Sequence, residues 1–161
     1  MSKKQTKAVT IEEKLKELQL ELPKVPAVRR PFAGGVIYGN TVILSGQTPR
    51  INGHQAFSGT LGTGDITIEE AKEAAQICIL NLLSHLKNIL GDLNKVTRII
   101  KMNGYVASTP DFKEHPEIIH AASEIINYLF GEEPGYARIA VGMASLPEGA
   151  PVEIEMTAEF K

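Results

Sequence analysis

Gly135-Tyr136-Ala137-Arg138-Ile139-Ala140-Val141-Gly142-Met143-Ala144-Ser145-Leu146-Pro147, followed by Val152-Glu153-Ile154-Glu155-Met156, is the stretch that decides how this chain folds. Two apolar runs flank Leu146-Pro147-Glu148-Gly149-Ala150-Pro151, and the Pro and Gly punctuation predicts two strands and their connection. Arg138 lies near the start of the first strand and Glu153 near the start of the second. If the strands pair, each brings a charge among apolar neighbours, where charges want a partner or a ligand. The residues alone leave three readings open: an Arg–Glu ion pair, two charges on a solvated sheet face, or a binding site.

Outward from that stretch, helices and strands alternate. Thr10-Ile11-Glu12-Glu13 is a capping-box pattern that opens a short helix over 10–22, with Leu15, Leu18 and Leu22 on one side and Pro23 as its stop. Residues 1–9 are expected to form a flexible tail. Pro23, Pro26 and Pro31 keep 24–31 extended. Val36 to Leu44 reads as a hairpin turning at Gly39-Asn40, and Ser45-Gly46-Gln47 ends it. Gly46 marks a bend or a close approach. The Gly-rich segment 50–66 reads as a loop with an irregular strand near Ala56-Phe57.

Thr67-Ile68-Glu69-Glu70 repeats the capping box. Behind it Ala71, Ala74, Ala75, Cys78, Leu82, Leu86 and Ile89 fall at helical spacing, up to Gly91 at the C-cap position. Cys78 belongs to that apolar stripe and reads as core. Val96 to Val106 is a strand, and a second long helix runs from Pro116 to Phe130 with Gly131 after it. The fold class is therefore α+β: a mixed sheet with two main helices packed on one face, plus the short N-terminal helix.

The chain has 161 residues, 43% hydrophobic and 22% charged, and a net charge of −2. One domain spanning 1–161 is expected. The charge favours neither nucleic acid nor a membrane surface, and no apolar run approaches the ~20 residues that span a bilayer. The basic start Met1 to Lys7 has no apolar run behind it, so no secretory signal is expected. A single cysteine excludes an internal disulfide and is compatible with a reducing compartment, so a cytoplasmic location is expected. Four scattered His and one Cys show no metal-ligand spacing, and no cofactor is expected. Gly59 to Gly64 is not placed as a phosphate cradle would be. Ser45 lacks a nucleophile-elbow context. Lys24, Arg29 and Arg30 form a small basic patch without interleaved aromatics, which reads as solvated surface.

Three segments in register resemble the RidA/YjgF family of enamine/imine deaminases, formerly called L-PSP endoribonucleases. They are Gly39-Asn40-Thr41-Val42-Ile43-Leu44-Ser45-Gly46-Gln47, Ala137-Arg138 with Ala140-Val141 and Leu146-Pro147, and Val152-Glu153-Ile154-Glu155. The likeness runs from Pro26 to Phe160, and the longer loop 50–66 is similar to the family's longer subgroup. The resemblance implies a chorismate-mutase-like fold and a homotrimer with a cleft between each pair of subunits. It implies that Arg138 grips a substrate carboxylate, that Glu153 positions or activates the attacking water, and that Ser45 and Gly46 line the cleft.

Phe32, His120 and Ala140 stand where RidA has a tyrosine, an asparagine and a cysteine, with Ser123 as an alternative to His120. Phe32, His120 and Ala140 are thus further substrate-contact candidates. The implied reaction is hydrolysis of a small enamine or imine to a 2-oxo acid and ammonia. The alternative is a trimeric protein that binds small carboxylates without turnover. RNA cleavage or translation inhibition, suggested by the old family name, is disfavoured by the charge and by sparse basic–aromatic clustering.

Overall fold

The structure is a computed structural model that describes residues 8–25 and 31–161. Arg29 and Arg30, most of the expected tail and much of the proline-rich segment lie outside the described residues.

The helix α1 spans Ile11–Glu17, and both halves of its capping box form: Glu13 N donates to Thr10 Oγ1, and Thr10 N to Glu13 Oε2. It ends five residues before Leu22, so the expectation of a helix to 22 is corrected. Gln19 takes a left-handed φ of 56°, Gln19 N donates to Lys16 O, and Leu20 N donates to Leu15 O. This is a Schellman termination with glutamine where glycine is usual. Lys14 Nζ donates to Leu129 O, and Ile11 N to Asn94 Oδ1, which fastens α1 to the body.

The long helices are α2 (Ile68–Leu90) and α3 (His115–Phe130). The second capping box also forms, and Gly91 closes α2 at φ 78°. Ala71, Ala74, Ala75, Cys78, Leu82 and Leu86 are fully buried, as their spacing predicts.

The strands are β1 (Gly35–Tyr38), β2 (Thr41–Leu44), β3 (Arg50–Ile51), β4 (His54–Gln55), β5 (Val96–Ala107), β6 (Ala137–Met143) and β7 (Val152–Phe160). The segment read as a loop thus holds a small hairpin, β3–β4, turning at Asn52-Gly53, and its second strand lies just before Ala56-Phe57. The main sheet has the order β1-β2-β7-β5-β6. Only the β5–β6 pair in it is parallel.

The two C-terminal strands therefore do not pair: β5 lies between them. The 3-10 turn Pro147–Gly149 is part of a crossover, not of a hairpin. A parallel partner for β6 requires α3 as the connection from β5.

Both long helices pack on one face. Val152, Ile154, Met156 and Ala158 of β7 and Met102 and Val106 of β5 are buried against them, with their alternate neighbours on the opposite face. A Cβ at Gly104 would stand 2.5 Å from Ile119 Cδ1, so glycine lets α3 approach β5. The opposite face is open. It carries Val36, Ile43, Ile139, Val141 and Met143, all exposed, around a polar centre in which Asn103 Nδ2 and Tyr105 Oη donate to Glu155 Oε1 at 2.6 and 2.8 Å. Among the described residues no helix is long and apolar enough to cross a membrane.

Candidate functional site

The register of β2 against β7 runs Thr41 with Glu159 and Ile43 with Thr157, then resumes at Gln47 with Ile154. Between those pairs three residues, 44–46, face two, 155–156, so one extra residue bulges at 44–46. The bulge brings Gly46 against Glu153, where a Cβ would lie 2.5 Å from Glu153 Oε1. Glycine here serves close approach to a carboxylate.

Glu153 and Gly46 line a cavity of about 560 Å³. Phe32 lies on its rim, and Asn81 and His85 of α2 form part of its wall. Burial first, and the Glu155 charge second, push the Glu153 carboxyl above the usual carboxylate range. Burial holds the His85 imidazole below its ordinary value, which favours the neutral form. Ser45 is adjacent, but its hydroxyl donates to Ala33 O at 2.5 Å and its N–H to Gly34 O, so it fixes the loop before β1.

Arg138 is elsewhere. On β6 it pairs in register with Met102, on the helix-covered face, and its Nη1 bonds His120 Nδ1 at 3.0 Å and Ser123 Oγ at 2.9 Å on α3. Ala140 follows it on the same face, opposite Gly104. Glu153 pairs with Tyr105 on the open face. Two strand spacings across and three residues along β5 put the two Cα atoms about 14 Å apart. Of the three readings the residues left open, the Arg138–Glu153 ion pair is the one this geometry removes. The predicted residues form two groups, Glu153–Gly46–Phe32 with Ser45 beside them, and Arg138–His120–Ala140.

The family described as "YjgF/chorismate mutase-like, putative endoribonuclease" matches residues 12–159. The chain belongs to this family. Among its YjgF-like relatives is protein TCP17 of Trypanosoma cruzi, 37% identical, with 91% of each chain covered. The 2-iminobutanoate/2-iminopropanoate deaminase of Mus musculus is 35% identical over 84% of this chain and 85% of its own. The crystal structure of Agrobacterium tumefaciens Atu1372, a protein of unknown function, superposes with a TM-score of 0.85 at 43% identity, covering 94% of this chain and 92% of that one.

The YjgF-like fold puts Arg138 on the edge strand β6, on the helix-covered face, and Glu153 near the start of the central strand β7, on the open face. Sequence reasoning missed Asn81 and His85. Their signal was two polar residues on the apolar stripe of α2, where polar side chains need a reason to be buried. Asn81 has one, since its Nδ2 donates to Thr48 O and Arg50 O and holds the cavity wall. His85 fills the space that a side chain at Gly34 would take. Arg50, also in the wall, pairs with Glu148, and no spacing in the sequence announces that pair.

Proposed function

We propose that this protein hydrolyses small enamine or imine derivatives of amino acids to 2-oxo acids and ammonia, in clefts between subunits of a cytoplasmic homotrimer. The observation that carries this reading is the presence on one sheet of an arginine that keeps donors unengaged among the described residues, on the edge strand β6, and a glutamate of raised pKa in a cavity, on the central strand β7 and the opposite face. A ring of copies apposes the Arg138 edge of one to the Glu153 cavity of the next. The exposed apolar row Val36, Ile43, Ile139, Val141 and Met143 supplies the contact surface. Relatives named as iminobutanoate/iminopropanoate deaminases, at 29–35% identity, support the same chemistry.

Arg138 takes the substrate carboxylate on two N–H groups. The substrate reacts as the protonated imine: Glu153 accepts a proton from water as the water oxygen bonds to the imine carbon and the C=N π electrons move onto nitrogen, giving a neutral carbinolamine. Glu153 then gives that proton to the amine nitrogen; the carbon–nitrogen bond breaks as the carbonyl forms, the hydroxyl proton passes to the Glu153 carboxylate and on to solvent, and the nitrogen departs as ammonia. Burial suits Glu153 to this, because it raises the carboxyl's pKa in the direction that lets one group both take and return a proton; such assistance is worth about 10²–10⁴ in rate.

A second reading has its own observation. Phe32 and Ala140 bring no polar group to the cleft, which suits a site that holds a small carboxylate without turning it over. The test is ammonia release from enzymatically generated 2-aminoacrylate, for wild type, Arg138→Ala and Glu153→Ala. Acceleration by the wild type alone supports the deaminase. An inert wild type that still binds 2-oxobutanoate supports the binder.

A further inference from the structure

A guanidinium has five N–H groups and does not give up its proton at any accessible pH. In Arg138 both Nη1 protons are committed, one to His120 Nδ1 at 3.0 Å and one to Ser123 Oγ at 2.9 Å. Among the described residues nothing engages Nε or Nη2. Because Arg138 can only donate, His120 Nδ1 must accept, which places the neutral ring's proton on Nε2. His120 and Ser123 are three residues apart on α3 and share a face of the helix. Ser123 is buried, so one of the two bonds is shielded from water. The helix beneath them is set against the sheet by the close packing of Ile119 on Gly104.

We infer that His120 and Ser123 are positioning residues that orient Arg138. They consume Nη1 and leave the Nε–Nη2 edge, with its three N–H groups, as the fork that meets a carboxylate. This rests on the reading of Arg138 as the carboxylate grip, and it assigns His120 and Ser123 a different role from substrate contact. An arginine held in advance by two bonds loses less freedom when the ligand arrives.

The geometry supplies its own control. Asparagine Oδ1, like histidine Nδ1, is bonded directly to Cγ, so His120→Asn returns an acceptor to the same place. His120→Leu puts a methyl group there. With 2-oxobutanoate as the probe, calorimetry should show binding weakened about tenfold by His120→Leu and by Ser123→Ala, and restored to within about threefold by His120→Asn. In ammonia release the same loss should fall on KM with kcat little changed. A His120→Leu protein that binds like wild type, or a His120→Asn protein as weak as His120→Leu, overturns the inference.

Nitrogen NMR of the His120 ring judges the orienting contact independently of any activity. The Nε2–H tautomer should dominate in the wild type and lose that dominance in Arg138→Gln. A tautomer ratio unchanged by Arg138→Gln means that the contact does not exist in solution. If the wild type shows the locked tautomer but fails to bind 2-oxobutanoate, the carboxylate reading of Arg138 fails and the orienting contact stands.

Discussion

Arg138 and Glu153 lie on opposite faces of one sheet, with β5 between the strands that carry them. A small imino acid cannot touch both within one chain. The proposed chemistry therefore depends on assembly, and each side chain can be perturbed separately.

Partial burial first, and the neighbouring Glu155 charge second, hold the Glu153 carboxyl above the usual carboxylate range. Its ionised form is the base, so kcat/KM should fall as pH drops through that raised value, at higher pH than an exposed glutamate would give. Glu155→Gln removes the like charge and should move the acid limb to lower pH. A limb that stays in place counts against Glu153 as the titrating group.

The same shift predicts stability. A folded-state pKa above that of the unfolded chain means that ionised Glu153 opposes folding at neutral pH, and that the cost fades as pH falls through the raised value. Glu153→Gln should therefore raise Tm at pH 7 by about 1–3 °C while abolishing turnover. Calorimetric scans at neutral and acidic pH should show the gain disappear on acidification; a loss of stability at pH 7 would contradict the account.

Gly46→Ala places a methyl group 2.5 Å from the present position of Glu153 Oε1. The carboxylate must move, and displacements near 1 Å cost about 10² in rate. Turnover should drop about that much, with Tm changed by less than in a core substitution. Kinetics and a melting curve on the same sample check both halves.

Gly104→Ala meets Ile119 Cδ1 and Cγ1 at 2.5 Å. Overpacking should cost about 1–3 kcal/mol. Ile119→Ala costs stability alone but should recover part of the loss in the double variant. Urea unfolding of the four proteins gives the coupling; strict additivity would show that the two residues do not compete for space.

Much of the fold was legible because local rules and tertiary packing agree. Both capping boxes, the Gly91 terminus and the stripe from Ala71 to Leu86 sit where the pattern puts them. Strand order was less legible: the runs around Arg138 and Glu153 look like a hairpin, since nothing local reveals that β5 intervenes. The end of α1 was hidden because Gln19 takes a conformation that sequence readers assign to glycine. Arg138, Glu153 and Gly46 were singled out as candidates through residue type and a family resemblance. Asn81 and His85 were not, because a stripe that is mostly Ala and Leu reads as core throughout.

The separation of Arg138 from Glu153 also gives the most direct test. Arg138→Ala and Glu153→Ala proteins, each inactive alone, are unfolded together, refolded as mixed assemblies and assayed for ammonia release. In a ring, each cleft takes its arginine from one subunit and its glutamate from the next, so about a quarter of clefts in an equal mixture are intact. The account predicts recovery of about a quarter of wild-type activity. A mixture that co-assembles and remains inactive, while wild type refolded alongside it is active, would contradict a site shared between subunits.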